Sequence, residues 1–364
     1  MEQQIRVLMV GPDRGVHGGI SAVVNEFYAA GLNEKVKLKY IGTMKEGSKV
    51  RKLCVAAFAF ARFAFGLLSC DVVHVHFSSD MSFMRKSYFI RMAHFCKKRI
   101  ILHQHGGDFT NFYKNQLDDK GKAYVKRVLE MGEVMLVLTE SWKEFFSQIV
   151  DENRLLVFPN GVRTSGFTYP EKEECNDCTH KDRNKILFLG RVCKDKGMDE
   201  LLEAIGAVHE HYPKAHLYIG GIYEDESYRK KIEECADFVT FLGWITGKEK
   251  DKYLEECGML VLPSYYEGFP VSVIEAMLHN MAVIACNVGG LPDIIENDVD
   301  GLLIPPKNSK KLEQAIERVI EDEEFAGKLG NNGVRKVLSK YSVEENINRL
   351  VGIYSRNYKN FKKI

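Results

Sequence analysis

The 364-residue chain lacks a paired cysteine framework: its nine cysteines show no regular spacing of the kind a disulfide scaffold needs. It has neither a signal peptide nor an uninterrupted apolar run that could span a bilayer. Together these absences predict a cytoplasmic protein. Net charge is nearly absent too, +1 from 51 Lys+Arg against 50 Asp+Glu, which argues against bulk nucleic-acid binding. One CxxC, Cys175-Asn176-Asp177-Cys178 followed by His180, has no second pair and sits in a polar stretch, so free thiols are expected there.

Hydrophobic content of 45% and charged content of 28% describe an ordinary globular chain long enough for two domains. The charge is unevenly placed. Residues 1–165 hold 24 Lys+Arg against 16 Asp+Glu, leaving 27 against 34 for the remainder, so the two halves are expected to meet different partners.

Short apolar runs alternate with helical spacing along both halves. In the first, Ile5–Val10, Val72–Val75, Arg99–His103 and Val134–Leu138 read as buried strands, with a helix over Ile20–Leu32. Thr164–Asn184 is polar, broken by Pro170, and is the best domain boundary. Beyond it come strands Lys185–Leu189, Ala215–Ile219, Val239–Leu242, Met259–Pro263, Ala282–Ala285 and Leu302–Ile304. Helices near Met198–Tyr212, Ser227–Ala236 and Lys248–Cys257 separate them, and from Ser309 onward the pattern is helical. Such alternation implies parallel sheets covered by helices on both faces.

The richest stretch runs from Met259 to Pro306. A strand leads into Tyr265-Tyr266-Glu267-Gly268-Phe269-Pro270 and then an apolar helix on which Val273, Ile274, Met277 and Leu278 share a face. Glu275 falls off that face and leans back toward Glu267. Pro270 suits the first helical position, and the free amides after it can hold an anion or a hydroxyl. Two acids beside such amides suit the hydroxyls of a sugar or ribose next to a phosphate.

Glu267-Gly268-Phe269-Pro270-Val271-Ser272-Val273-Ile274-Glu275 resembles the glutamate-seven-residues-glutamate signature of the retaining glycosyltransferases of family 4. Asn160-Gly161-Val162, Gly190-Arg191-Val192 with Lys196-Gly197, Gly289-Gly290-Leu291-Pro292 and Gly301-Leu302-Leu303-Ile304-Pro305-Pro306 follow that family's pattern in order. The resemblance implies an α/β chain of the GT-B fold, two Rossmann-like doubly wound parallel-sheet domains facing one cleft. The domains expected are 1–165 on the acceptor side, a linker 166–184, a nucleotide-sugar domain 185–340, and a tail 341–364 returning to the first domain. It further implies transfer of a sugar, with retention, from a UDP or GDP sugar to a hydroxyl acceptor in cell-surface, capsular or exopolysaccharide biosynthesis.

Site roles carry over residue by residue. Arg191 and Lys196 neutralise the departing diphosphate, with Lys194 between them as surface charge. Glu267 holds the donor sugar with Gly268, Phe269, Pro270 and Val271, and Glu275 holds the ribose. Gly289 and Gly290 complete the donor pocket through the backbone, and Trp244 and Ile245 stand where the base binds. Gly18 and Gly19, in a loop that matches neither a Walker motif nor GxGxxG, face the transferred sugar and acceptor. His105-Gly106 matches the histidine on the acceptor side of the sugar. Strand alternation puts His103 on the same side and cannot choose between them, and His74 and His76 face a similar place. The catalytic set is thus His105, Glu267, Arg191 and Lys196.

Asp298-Val299-Asp300 spells DxD, but it sits in a turn of a chain whose phosphate ligands are already cationic, so no metal and no other cofactor is required. Leu53–Leu68, flanked by Lys49, Arg51 and Lys52, is too short to span a membrane. It reads either as a buried helix or as one lying in an anionic membrane surface, a peripheral contact at the inner face that suits a lipid-linked acceptor. Two other classes stay open: a nucleotide-sugar 2-epimerase of the same fold, and a non-catalytic nucleotide-sugar-binding partner. Retention of Arg191, Lys196, Glu267 and Glu275 argues against the latter.

Overall fold

A computed structural model describes residues 4–45, 47–106, 108–169 and 181–356, the side chains of 49–53 excepted. The CxxC with His180, linker residues 170–180, Gly107, and Tyr358 and Phe361 of the tail lie outside the described residues. So do the side chains of Lys49, Arg51 and Lys52. The chain forms two compact units, Met1–Arg163 with Ser342–Ile364, and Thr164–Tyr341.

In the first unit, β1 (Arg6–Gly11), β2 (Lys37–Gly42), β3 (Val72–Phe77), β4 (Arg99–Gln104), β5 (Val134–Val137) and β6 (Leu155–Val157) form one parallel sheet in the order β2-β1-β3-β4-β5-β6. β3 and β5 are buried along their whole length, as a sheet covered on both faces requires. β2 and β6 were not expected from the sequence. β2 is an edge strand in which lysines alternate with Leu38 and Tyr40, so it carries no apolar run, and β6, Leu155–Val157, is apolar but only three residues long, shorter than a usual strand. The helix predicted over Ile20–Leu32 is Gly19–Ala29, followed by a short turn of helix at Leu32–Lys35.

The second unit repeats the plan with β7 (Asp182–Leu189), β8 (His216–Gly220), β9 (Val239–Gly243), β10 (Cys257–Leu262), β11 (Ala282–Cys286) and β12 (Leu302–Ile304). All are parallel, in the order β12-β11-β10-β7-β8-β9. β7 starts at polar Asp182, before the apolar run, because pairing with Cys257 of β10 sets its beginning. The strand order reverses between β1 and β3 in one sheet and between β7 and β10 in the other. Such reversals leave a crevice at the strands' carboxyl ends where ligands settle.

The helical C-terminal stretch is three helices, Ser309–Glu321, Glu323–Lys340 and Val343–Tyr354. The carboxylate of Asp322 caps the second, accepting from the Phe325 amide at 2.9 Å, and the Ser342 hydroxyl caps the third. The third packs on the first sheet. Ile347, Leu350 and Ile353 are buried, each worth roughly 1.5–3 kcal/mol. Asn346 donates to the Pro159 carbonyl at 2.8 Å and Arg349 to the Val157 carbonyl at 2.9 Å.

The helix Lys49–Leu67 is half-buried. Ala59, Phe63 and Leu67 face the sheet, while Phe58, Phe65 and Leu68 are exposed. It packs through Phe60 and Phe63 onto Phe89 of helix Asp80–Phe95, which itself exposes Met81, Tyr88 and Phe95. Among the described residues no helix is long and apolar enough to cross a membrane.

Candidate active site

The loops after β7 and β10 are fastened to each other by backbone. Gly197, at φ 70°, lies so close to the Pro263 carbonyl that no Cβ would fit, and the Tyr265 amide donates to the Asp195 carbonyl at 2.8 Å. The loop after β11 joins them: Gly289, at φ 55°, sits against the Glu267 carbonyl with no room for a side chain, and the Gly290 amide donates to that carbonyl at 3.2 Å. Glu267 is therefore held at the reversal of strand order by its own main chain.

Its carboxylate accepts from the ammonium of Lys196; the two side chains are 10% and 16% exposed. Arg191, on the rim, pairs with Glu224, both about half exposed. Glu275, on the polar side of helix Val271–Leu278, accepts from Lys250 at 2.6 Å. Lys194 is exposed in the turn Lys194–Lys196. Cations and carboxylates in close pairs can exchange partners with a ligand that carries both phosphate and hydroxyl groups, and a diphosphate competes for the ammonium while a sugar competes for the carboxylate.

Pro270 takes the cap position instead of the first helical one, because its ψ of 115° is extended and the helix begins at Val271. Gly268 and Phe269 are buried, with Phe269 edge-on to Tyr341 at 5.4 Å between ring centroids. Ile245 is buried against Gly220, and Trp244 beside it is 43% exposed. Asp298 pairs with Arg318. Buried Asp300 pairs with Lys336 and accepts from the Glu296 amide at 2.8 Å, so both acids of the DxD tripeptide shape their turn.

Sequence reasoning missed Glu224 and Lys250. Lys250 lies in the charge run Lys248-Glu249-Lys250-Asp251-Lys252, where nothing separates it from its solvated neighbours. Tyr265, read only as part of the loop, donates to Glu200 at 2.6 Å, and burial pushes its pKa up.

In the first unit the exposed Gly18 and Gly19 open helix Gly19–Ala29, with nothing within 4 Å of where a Cβ would stand on either. His103 is fully buried, whereas His105 is half-buried as a residue, although its Nδ1 is itself buried. His105 Nε2 lies 2.8 Å from His76 Nδ1, and His74 Nδ1 lies 2.7 Å from the Tyr354 hydroxyl. Burial and the neighbouring imidazoles hold the histidines neutral, pulling His74 down to about 3; burial alone takes His105 to about 3. Lys86, buried with its ammonium on the Thr43 hydroxyl, is pulled down to about 7 by burial and Arg85.

Residues 172–336 match the family described as glycosyl transferases group 1. An uncharacterized glycosyltransferase of Methanocaldococcus jannaschii is 27% identical over 79% of this chain and 76% of its own. The N,N'-diacetylbacillosaminyl-diphospho-undecaprenol alpha-1,3-N-acetylgalactosaminyltransferase of Campylobacter jejuni is 26% identical over 94% of this chain and 87% of its own. Among solved structures, HepE of Anabaena in complex with UDP and glucose superposes with a TM-score of 0.76 at 16% identity, covering 97% of this chain and 100% of that one.

Proposed function

We propose that this chain, whose residues 172–336 belong to the glycosyl transferases group 1 family and whose fold is GT-B, is a retaining glycosyltransferase that uses a nucleotide-diphosphate sugar. The observation that carries the reading is the Lys196–Glu267 pair, fixed by backbone where the second sheet reverses its strand order. UDP and glucose bound to the structurally similar HepE support a donor of the UDP or GDP type.

In the proposed reaction an acceptor hydroxyl attacks the anomeric carbon on the face that the diphosphate leaves. The bond from that carbon to the phosphate oxygen breaks, its electron pair stays on the phosphate, and a phosphate oxygen takes the acceptor's proton. Lys196 and Arg191 stabilise the growing charge; such a contact is worth roughly 100-fold in rate or more. Glu267, with Gly268, Phe269, Pro270 and Val271 around it, holds the donor sugar. Glu275 holds the ribose, Gly289 and Gly290 offer backbone, and Trp244 and Ile245 meet the base. On the acceptor side, His105 and the amides at Gly18 and Gly19 orient the hydroxyl. The leaving group needs no metal, so nucleotide binding persists in EDTA.

The acceptor proposed is a lipid-linked sugar in polysaccharide biosynthesis, supported by the undecaprenol-linked substrate in the name of the Campylobacter relative. The aromatics exposed on helices Lys49–Leu67 and Asp80–Phe95 support peripheral contact with a membrane. The test is incubation with radiolabelled UDP and GDP sugars, with and without an undecaprenyl-diphosphate sugar acceptor, with the product's anomeric configuration read by NMR. Label moving to the acceptor as the α-anomer supports the reading. Epimerised donor without transfer, or an inverted product, overturns it.

A further inference from the structure

The first unit carries a cluster that the transfer chemistry does not use. His74 and His76 alternate along β3 and so share a face of the sheet, and His103 on β4 stands in register with His76. All three are fully buried. We propose that His74, His76 and His103 bind one divalent transition-metal ion, Zn2+ by the preference of imidazole ligands.

Three observations support this. First, one ring nitrogen from each histidine can be chosen so that all three lie within 4.8 Å of one another. A tetrahedral zinc with bonds of about 2.0 Å needs them about 3.3 Å apart. The torsion about each Cβ–Cγ bond is broad, so rotation of the rings supplies the difference.

Second, the nitrogens left over are the ones a metal needs. Nε2 of His74, Nε2 of His76 and both nitrogens of His103 are buried and have no hydrogen-bond partner. Buried polar atoms left unpaired cost free energy, and four within one cluster form an unusual concentration. Third, the opposite nitrogens of the first two rings are engaged. Nδ1 of His74 meets the Tyr354 hydroxyl at 2.7 Å and Nδ1 of His76 meets His105 Nε2 at 2.8 Å. A hydrogen bond to the far nitrogen fixes the tautomer and raises the basicity of the near one, which is how metal-binding histidines are oriented.

Lys86 opposes capture: when protonated it lowers the proton affinity of His76, and it would repel a metal in the same way. The other candidate group among the described residues joins exposed His211 to buried Glu313 and half-buried Glu317. There His211 is already satisfied by Glu317 at 2.8 Å, and this group serves as the control.

The experiment uses the full-length chain, stripped with a chelator and dialysed, then titrated with Co2+ and followed by visible d–d absorption, with Zn2+ as competitor. One Co2+ per chain, displaced by Zn2+, is expected for the wild type and for His211→Ala. His103→Gln should weaken uptake at least tenfold. Tyr354→Phe, which touches no metal and acts by positioning His74, should weaken it by about 10–100-fold. If His103→Gln fails to fold by circular dichroism, Tyr354→Phe decides. No stoichiometric uptake by the wild type, uptake indifferent to these two variants, or uptake that vanishes with His211→Ala overturns the proposal.

Discussion

At the β7–β10 reversal basic and acidic side chains are paired: Lys196 with Glu267, Arg191 with Glu224, and, on neighbouring helices, Lys250 with Glu275. At the carboxyl ends of β3 and β4 they are uncharged imidazoles stacked on one another, with His74 and His103 rings 5.4 Å apart and 10° from parallel. Both sheets are parallel and six-stranded, so topology alone does not account for the contrast. Access to water does. The charged set keeps 10–49% of each side chain exposed, whereas His74, His76 and His103 are fully buried, and burial penalises a charge more than neighbours can restore it. A rim of half-hydrated ion pairs can be re-partnered by an anionic ligand. A dry neutral cluster cannot exchange protons cheaply.

The sharpest way to break the comparison is to remove one ion of the charged set. Lys196→Ala should lower turnover about 100-fold or more while circular dichroism stays native, since the ammonium is proposed to meet phosphate and fills no core. Arg191→Ala should act in the same direction but less, because its guanidinium is half exposed. Near-normal steady-state rates in both would sink the phosphate assignment.

The neutral set should reveal itself through pH. Lys86 has its pKa depressed from 10.5 to about 7, so between those values the unfolded chain holds a proton that the folded chain does not, and stability rises as pH is raised through that window. His74 and His105, depressed from 6.5 to about 3, act with the same sign: stability falls as pH drops from 6.5 toward 3. The two tryptophans divide between the units, buried Trp142 in the first and exposed Trp244 in the second. Urea unfolding of Trp244→Phe, followed in EDTA by Trp142 fluorescence, therefore reports on the first unit. Lys86→Met should flatten the slope above pH 7, and an unchanged slope would contradict the assignment to Lys86.

A third test divides the carboxylates. Glu275→Ala should weaken binding of the nucleoside diphosphate by roughly tenfold, as loss of a charged hydrogen bond does, and Lys250→Ala should do so to a smaller extent by freeing Glu275. Glu267→Ala should matter chiefly for the intact nucleotide sugar. Calorimetric titration with both ligands separates the roles, and equal responses would erase the division.

The smallest effect expected is at the membrane. Replacing Lys49, Arg51 and Lys52 together with Gln should reduce co-sedimentation with anionic vesicles several-fold at low salt, and wild-type binding should itself fall as salt rises. Donor affinity should be untouched. Failure of the wild type to bind at low salt would assign Leu53–Leu68 to the fold alone.

By itself the sequence determined the two alternating halves and most of the strands, because buried parallel strands are continuous apolar runs and their periodicity is local. It also singled out Glu267, Glu275, Arg191 and Lys196 as candidate site residues, through the resemblance of the motifs around them to a known family. It did not mark β2, whose lysines interrupt any apolar run, or β6, whose three apolar residues are too few to read as a strand. Nor did it find that Lys196 would face Glu267, or that Lys250 would face Glu275: these partners are 71 and 25 residues apart, and only closure of the loops brings them together. Strand alternation likewise left His103 and His105 equivalent. Tertiary burial separated them, putting His103 wholly in the dry interior with His74 and His76 and leaving His105 half-buried, because exposure is a property of what packs above a strand and not of the strand.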